Sequence, residues 1–284
     1  VAQGDLATLS DVKAWLSISD TTQDAVLARL ITAVSASVRT YINRSTLTSR
    51  TCTDRFDGSG TQSHLLQNWP VTSVASVVVD GVLIPQSPAV PTTGAGYTTS
   101  GWVLSSDYRD PPGQPQLIHL GGYCFDRGRQ NCQVVYTAGY LTAESASVPV
   151  APYQYQVAGL GGPWAGDSGV VYLDTGLPLT LVVGAPAAGQ YSVSAATTTG
   201  SPGLYQFAAA DLGRPVQISY SFVPFDLEQV VIELVGERNS YRSRIGQRSK
   251  SLGGQETMSW DMSGMPAYAV VALQQWTDVV PYPL

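Results

Sequence analysis

The spacing of apolar residues changes twice along this chain, and those changes limit the folds open to it. Up to about residue 44 apolar side chains recur every three or four positions. From Arg50 they alternate with a period of two, and from Asp226 the helical spacing returns. Helices at both ends of a long run of strands predict an α+β chain. Ser10 is expected to cap a short helix from residue 11 to about 17, with Val12, Trp15 and Leu16 on its buried side. Asp20 precedes a longer helix, with Gln23 placed to complete a capping box. Val26, Leu27, Leu30, Ile31, Val34, Val38, Tyr41 and Ile42 line one face of it. Burying such a face contributes roughly 1.5–3 kcal/mol per large side chain, which makes this helix a core element.

Strand-like runs follow at 50–56, 74–79, 82–84, 101–104, 117–120 and 133–136. Asp80-Gly81 between two apolar runs signals a hairpin. Residues 85–101, rich in Pro, Gly, Thr and Ser, read as an exposed loop. A second set of runs, at 153–157, 170–173, 179–183, 190–194, 204–207 and 216–222, recurs about every ten residues between Gly- and Pro-bearing turns. That rhythm predicts a small antiparallel sandwich or barrel. A last helix is expected from Pro266 to about Trp276, followed by an extended tail.

The stretch 223–254 is unusually polarised. Leu227, Val230, Val231, Leu234, Tyr241 and Ile245 mark one apolar helical face. Asp226, Glu228 and Glu233 lie near its amino end; Arg238, Arg242, Arg244, Arg248 and Lys250 lie near or beyond its carboxyl end. This arrangement complements the helix macrodipole. Five of the 15 Lys and Arg residues sit in this segment, leaving ten elsewhere against all 21 acidic residues. A basic segment on so acidic a chain fits three settings: a solvated helix end, an acidic protein surface, or DNA.

At 284 residues and 44% hydrophobic the chain has material for one large domain or two small ones. Only 13% of residues are charged, which favours a protein that hides surface against partners. No apolar run approaches the roughly 18–20 residues of a membrane span. The start, VAQGDLATLS, lacks the regions of a secretory signal, so a chain beginning near its natural start reads as an intracellular soluble product. Cys52, Cys124 and Cys132 are odd in number and lack CxxC spacing, which argues against metal or disulfide use; a bridge between Cys124 and Cys132 across a hairpin is the disfavoured option. GDSG at 166–169 matches the surroundings of a serine-protease nucleophile, but His64 and His119, the only histidines, lack the expected context. With Gly and Pro on both sides, GDSG reads as a turn. Asp54 and Asp57 beside GSG lack a carboxylate series for calcium. There is no phosphate loop. No catalytic, metal or cofactor residue is assigned.

Five blocks in this order resemble the head–tail connector, or head-completion adaptor, proteins of tailed bacteriophages. They are LSDVKAWLSISDTTQDAVLARLITAVSASVRTYINR at 9–44, DRFDGSG at 54–60, NWPVTSVASVVVDG at 68–81, QVVYTAGY at 133–140, and the VPFDLEQVVIELVGERNSYRSRIG helix. In that family the YTAGY-like strand runs through a short link into the Pro-led helix. Here about eighty residues intervene, and they resemble a β module common in phage structural proteins. The resemblance therefore implies a helical adaptor core with antiparallel sheets in two pieces, 1–148 and 223–284, and an inserted sandwich-like (Ig-like) β domain at 149–222.

The resemblance further implies a non-enzymatic virion protein of the head–tail junction, assembled in the host cytoplasm. It would form a ring, usually dodecameric, under the portal protein and extend the channel for packaged double-stranded DNA, which it would touch non-specifically. It would also offer a platform to a tail or neck protein such as a tail terminator, stopper or tail tube. Carried onto this sequence, the portal contact falls on 265–284, with Trp276, Tyr282 and Leu284 as anchors. Arg238, Arg242, Arg244, Arg248 and Lys250 would face portal, neighbouring subunit or DNA. The inserted domain is expected to be a spacer on the ring's rim. The alternative is a baseplate- or fibre-associated protein whose β domain binds host glycan through Trp164, Tyr153, Tyr155 and Tyr172.

Overall fold

The computed structural model describes residues 4–44, 47–88, 100–105, 117–194, 202–242, 249–252, 256–259 and 265–277. The chain is α+β, with more of it in strands than in helices. It divides into two units, Thr48–Leu141 and a discontinuous one made of Val1–Leu47 with Thr142–Leu284.

The unit Thr48–Leu141 is built of strands alone among the described residues. β1 (Arg50–Phe56), β7 (Cys132–Ala138), β3 (Val71–Val79) and β4 (Val82–Ile84) form one antiparallel sheet in that order. β2 (Ser63–Leu65), β6 (Leu117–Gly121) and β5 (Gly101–Ser105) form a second. Alternation decides which side chains enter the core: on the central strand β7, Cys132, Val134, Tyr136 and Ala138 are buried. The Asp80-Gly81 hairpin is present, with Val79 opposite Val82. Asp80 at φ 48° and Gly81 at φ 78° give it the two left-handed residues of a type I′ turn. β2 is too short and polar to announce itself by period. Most of the expected 85–101 loop lies outside the described residues.

In the other unit, α1 (Leu9–Trp15), α2 (Asp24–Tyr41), α3 (Phe225–Tyr241) and α4 (Ala267–Gln274) pack with α3 as the shared member, touching each of the other three. Several expectations need correction. Thr8, not Ser10, caps α1, accepting from the Asp11 N–H at 3.2 Å. Gln23 is itself the residue before α2 and makes no side-chain cap; Asp20 instead accepts from the Thr22 N–H and hydroxyl, turning the chain ahead of the helix. Trp15 is 56% exposed and Tyr41 38%, although Ile42 beside Tyr41 is fully buried and Leu16 beside Trp15 packs towards Gly236. Tyr241 is likewise exposed, and Ile245 lies outside the described residues. α3 buries Ile232, Val235, Gly236 and Glu228 in addition to Leu227, Val230, Val231 and Leu234, since it is covered from several sides. A side chain at Gly236 would stand 3.3 Å from Leu16 Cδ2, so glycine there lets α1 approach.

The same unit holds two further sheets around one core of Val148, Val157, Val170, Tyr172, Tyr191, Tyr205, Phe207, Val216, Ile218 and Tyr220 among others. β8 (Leu141–Ser147), β14 (Pro215–Phe222) and β10 (Trp164–Tyr172) form the first, with β14 central. β9 (Gln154–Gln156), β13 (Leu204–Phe207), β12 (Gln190–Ser194) and β11 (Thr180–Leu181) form the second. β11 runs parallel to β12, a departure from the antiparallel expectation. GDSG is not a turn: it lies within β10, whose pairing with β14 shifts register between Trp164 and Gly166 and again between Asp167 and Gly169. A short hairpin of β15 (Ser249–Leu252) and β16 (Glu256–Ser259) was not expected from the period. Among the described residues no helix is long and apolar enough to cross a membrane.

Candidate partner-contact surfaces

α3 ends where its packing ends. Its first turns are buried nearly all round, but past Gly236 the side chains of Arg238 and Arg242 are exposed. Arg242 Nη1 donates to Asn239 Oδ1 at 3.3 Å, one turn back on the same helix. Both arginines stand near the negative end of the helix dipole, which favours cations there. Lys250 lies in β15, its backbone opposite Met258. Arg244 and Arg248 lie outside the described residues.

α4 carries no charged residue from 265 to 277. Pro266 precedes it in extended conformation, as the first turn of a helix tolerates. Ala269, Leu273 and Trp276 are buried, spaced at three and four, while Ala267, Tyr268, Val271, Gln274 and Gln275 face outward. Trp276 is 8% exposed in the isolated chain. Tyr282 and Leu284 lie outside the described residues.

Buried acids are the other polar feature, and the sequence reasoning did not single out their partners. Asp54 Oδ2 accepts from Tyr136 Oη and the Gln67 N–H, both at 2.8 Å. Glu144 accepts from Tyr220 Oη, from Tyr155 Oη at 3.4 Å and from the Ala158 N–H. Asp167, only half-buried, accepts from Tyr191 Oη at 2.6 Å and Tyr205 Oη at 2.9 Å. Asp211 accepts from Tyr172 Oη at 2.8 Å and the Gly189 N–H at 3.0 Å. Burial first, then each acid, pushes these tyrosine hydroxyls up, that of Tyr172 to about 12. Such hydroxyls donate and do not ionise at any ordinary pH, so these networks brace sheets. Alternating strand faces place acid and tyrosine on the same side, a signal that needs the strand pairing to be read.

These networks also occupy the residues of the two sharper chemical readings. Asp167 of GDSG is held by two tyrosines, and Ser168 Oγ meets Ser221 Oγ at 3.5 Å. His64 stacks on Phe56 with centroids 3.4 Å apart, and His119 Nδ1 shares a hydrogen bond with Ser63 Oγ at 2.9 Å. Of the aromatics named for glycan stacking, Tyr172 and Tyr155 bond internal acids, and Trp164 Nε1 donates to Tyr205 Oη at 3.2 Å. Cys52, Cys124 and Cys132 are all free thiols, and burial before nearby acids pushes the Cys132 thiol up to about 11.

Glu228 is the exception among the acids. It lies 7% exposed in the first turn of α3, and its Oε1 has no hydrogen-bond partner among the described residues. Burial, and after it the charge and hydrogen bonding of Asp11 on α1, push its carboxyl up to about 8.

Described by its parts, this is an α+β chain whose strand-region acids brace sheets and whose helix α4 presents an uncharged outer side. Residues 5–112 match the family model described as Head completion protein, and the resemblance to head–tail connector proteins holds over that stretch. No curated protein matches the chain. One solved structure that it resembles is titled "Neck of empty GTA particle computed with C6 symmetry". That likeness covers 99% of this chain and 95% of the other at 14% identity, with a TM-score of 0.40, too low to carry an argument.

Proposed function

We propose that this chain is a structural, non-enzymatic protein of the virion neck, at the head–tail junction of a bacteriophage or phage-like particle. The family match over residues 5–112 supports the role. The packing carries it furthest: α3, more than 180 residues after α2 in sequence, packs against both α1 and α2, so the first and last of the blocks that resemble the connector family come together among the helices, while the other three lie in the unit Thr48–Leu141. In this reading the adaptor core is 1–148 with 223–284 and the inserted domain is 149–222, with β8 of the first core piece joining a sheet of the sandwich.

Repeated copies close a ring beneath the portal protein, extend the DNA channel and give a tail or neck protein its platform. The terminal segment 265–284 reaches the portal. Trp276, being buried, sets the direction of the segment, and Tyr282 and Leu284 make the contact. The inserted domain, with Tyr155, Tyr172 and Trp164 engaged in internal bonds, acts as a spacer on the rim. Packaged DNA, if it meets the arginines, is held non-specifically and more weakly as salt rises.

The test is removal of 265–284 from the full chain. Attachment to portal-bearing particles, followed by electron microscopy and co-sedimentation, is expected to vanish while the circular-dichroism spectrum keeps its strand and helix signals. Unchanged attachment removes the terminal segment from the reading; absence of the intact chain from every neck sinks the reading itself.

A further inference from the structure

Opposite charges occupy different sides of α3. Gln229, Glu233 and Glu237 recur every four residues, and Gln229 Nε2 donates to Glu233 Oε1 at 2.8 Å. Arg238 and Arg242 repeat the same spacing and are exposed. At 3.6 residues per turn the acidic and basic rows are centred roughly 140° apart around the helix axis. They cannot neutralise each other within one copy. Among the described residues the ion pairs join Lys13 to Asp24 and Arg214 to Asp174 and Asp211, and none includes these four charges.

The acidic row also has an uncharged border. α4 packs against α3. Tyr268 on α4 lies near enough to Glu237 and Glu233 that, after burial, their charges raise its hydroxyl. Beyond it Ala267, Val271, Gln274 and Gln275 continue outward along the same helix face. A helix with so little charge on its open side is built to be covered.

DNA would satisfy the arginines and be repelled by the glutamates; a basic partner would do the reverse. A second copy of this chain satisfies both rows, each with the opposite row of its neighbour. We propose that copies of this chain associate head to tail through α3. Arg238 and Arg242 of one copy dock on Glu233, Glu237 and the Tyr268–Val271 ledge of the next. Such a contact is heterologous, and it propagates into a ring where its rotation closes on itself. The inference rests on the ring reading above and supplies its contact surface.

A charge swap tests it with the full-length chain, read by sedimentation velocity. The unaltered protein is expected to form species larger than a dimer at low ionic strength and to dissociate as salt is added. Glu233→Arg with Glu237→Arg makes both rows positive, and Arg238→Glu with Arg242→Glu makes both negative. Each doubly changed protein alone is expected to stay monomeric, and an equimolar mixture to recover the large species, since both contacts are then complementary. Should either double variant lose its native circular dichroism, the single changes Glu237→Gln and Arg242→Gln are expected to weaken association several-fold. Variants that assemble as the unaltered protein does, or a mixture of folded variants that stays monomeric, overturn this contact while leaving the ring intact. An unaltered chain that stays monomeric at low ionic strength also overturns it, and electron microscopy of portal-bearing particles then decides the ring separately.

Discussion

Buried acids in the sheets and the buried acid in the helices are treated in opposite ways. Asp54, Glu144 and Asp211 are as enclosed as Glu228, yet each accepts from a tyrosine hydroxyl and from at least one backbone N–H. Glu228 faces another carboxylate instead. Desolvating a charge costs several kcal/mol unless donors replace water. The strand regions supply donors to their acids; α3 supplies none to Glu228, whose carboxyl burial pushes up to about 8. One difference in neighbours thus turns the same functional group into a brace in one place and a pH-dependent contact in the other.

The largest expected effect breaks this contrast at Glu228. Its carboxyl titrates near 4.5 when unfolded and near 8 when folded, so the folded chain holds an extra proton between those values. Stability is then complete below about pH 4.5 and falls as pH rises, by about 1.4 kcal/mol per unit towards pH 8. Urea denaturation across that range is expected to show the slope in the native chain and its loss in Glu228→Gln. A parallel pair of curves would show that Glu228 is ionised in place.

Next comes Glu144→Ala, which strips Tyr220, Tyr155 and the Ala158 N–H of their shared acceptor. A loss of about 3 kcal/mol is expected, since donors are left buried without partners. Tyr136→Phe, which removes one donor from Asp54 and takes the acceptor from the Asn68 N–H and side-chain amide while leaving the Gln67 N–H in place, is expected to cost about 2 kcal/mol in the same assay. Smallest is Lys13→Ala: the 2.7 Å pair with Asp24 is partly exposed and is expected to contribute well under about 1 kcal/mol, diminishing with salt.

Period and turn chemistry made much of this legible beforehand. Val12, Leu27, Ile31, Val34 and Val38 are in the core as their spacing requires, and β1, β4, β12 and β13 begin and end at the expected residues. The exposure of Trp15 and Tyr41 was not legible, because both keep the helical period of neighbours that are buried. GDSG was misread for a related reason: two glycines and an aspartate suggest a turn locally, but pairing with β14 and the two tyrosines on Asp167 hold it in a bulged strand. Glu228 reads locally as an acid of the helix's first turn; its burial beside Asp11 of α1 depends on a helix far away in sequence, which no window contains. The basic segment was plain from composition; that Arg238 and Arg242 emerge where α3 leaves its packing, on a different side from Glu233 and Glu237, required the helix to be placed.

The division of the chain also sets a schedule for synthesis. A ribosome delivers α1 and α2 first, then all of Thr48–Leu141, and reaches α3 only after the sandwich strands have emerged. α2 therefore waits through most of translation for the later helix that packs against it. The self-contained strand unit, whose partners all lie within its own stretch, has everything it needs long before that. A nascent chain halted between the two stages would carry one finished unit and a pair of helices with their greasy side bare, which is the species a chaperone would meet.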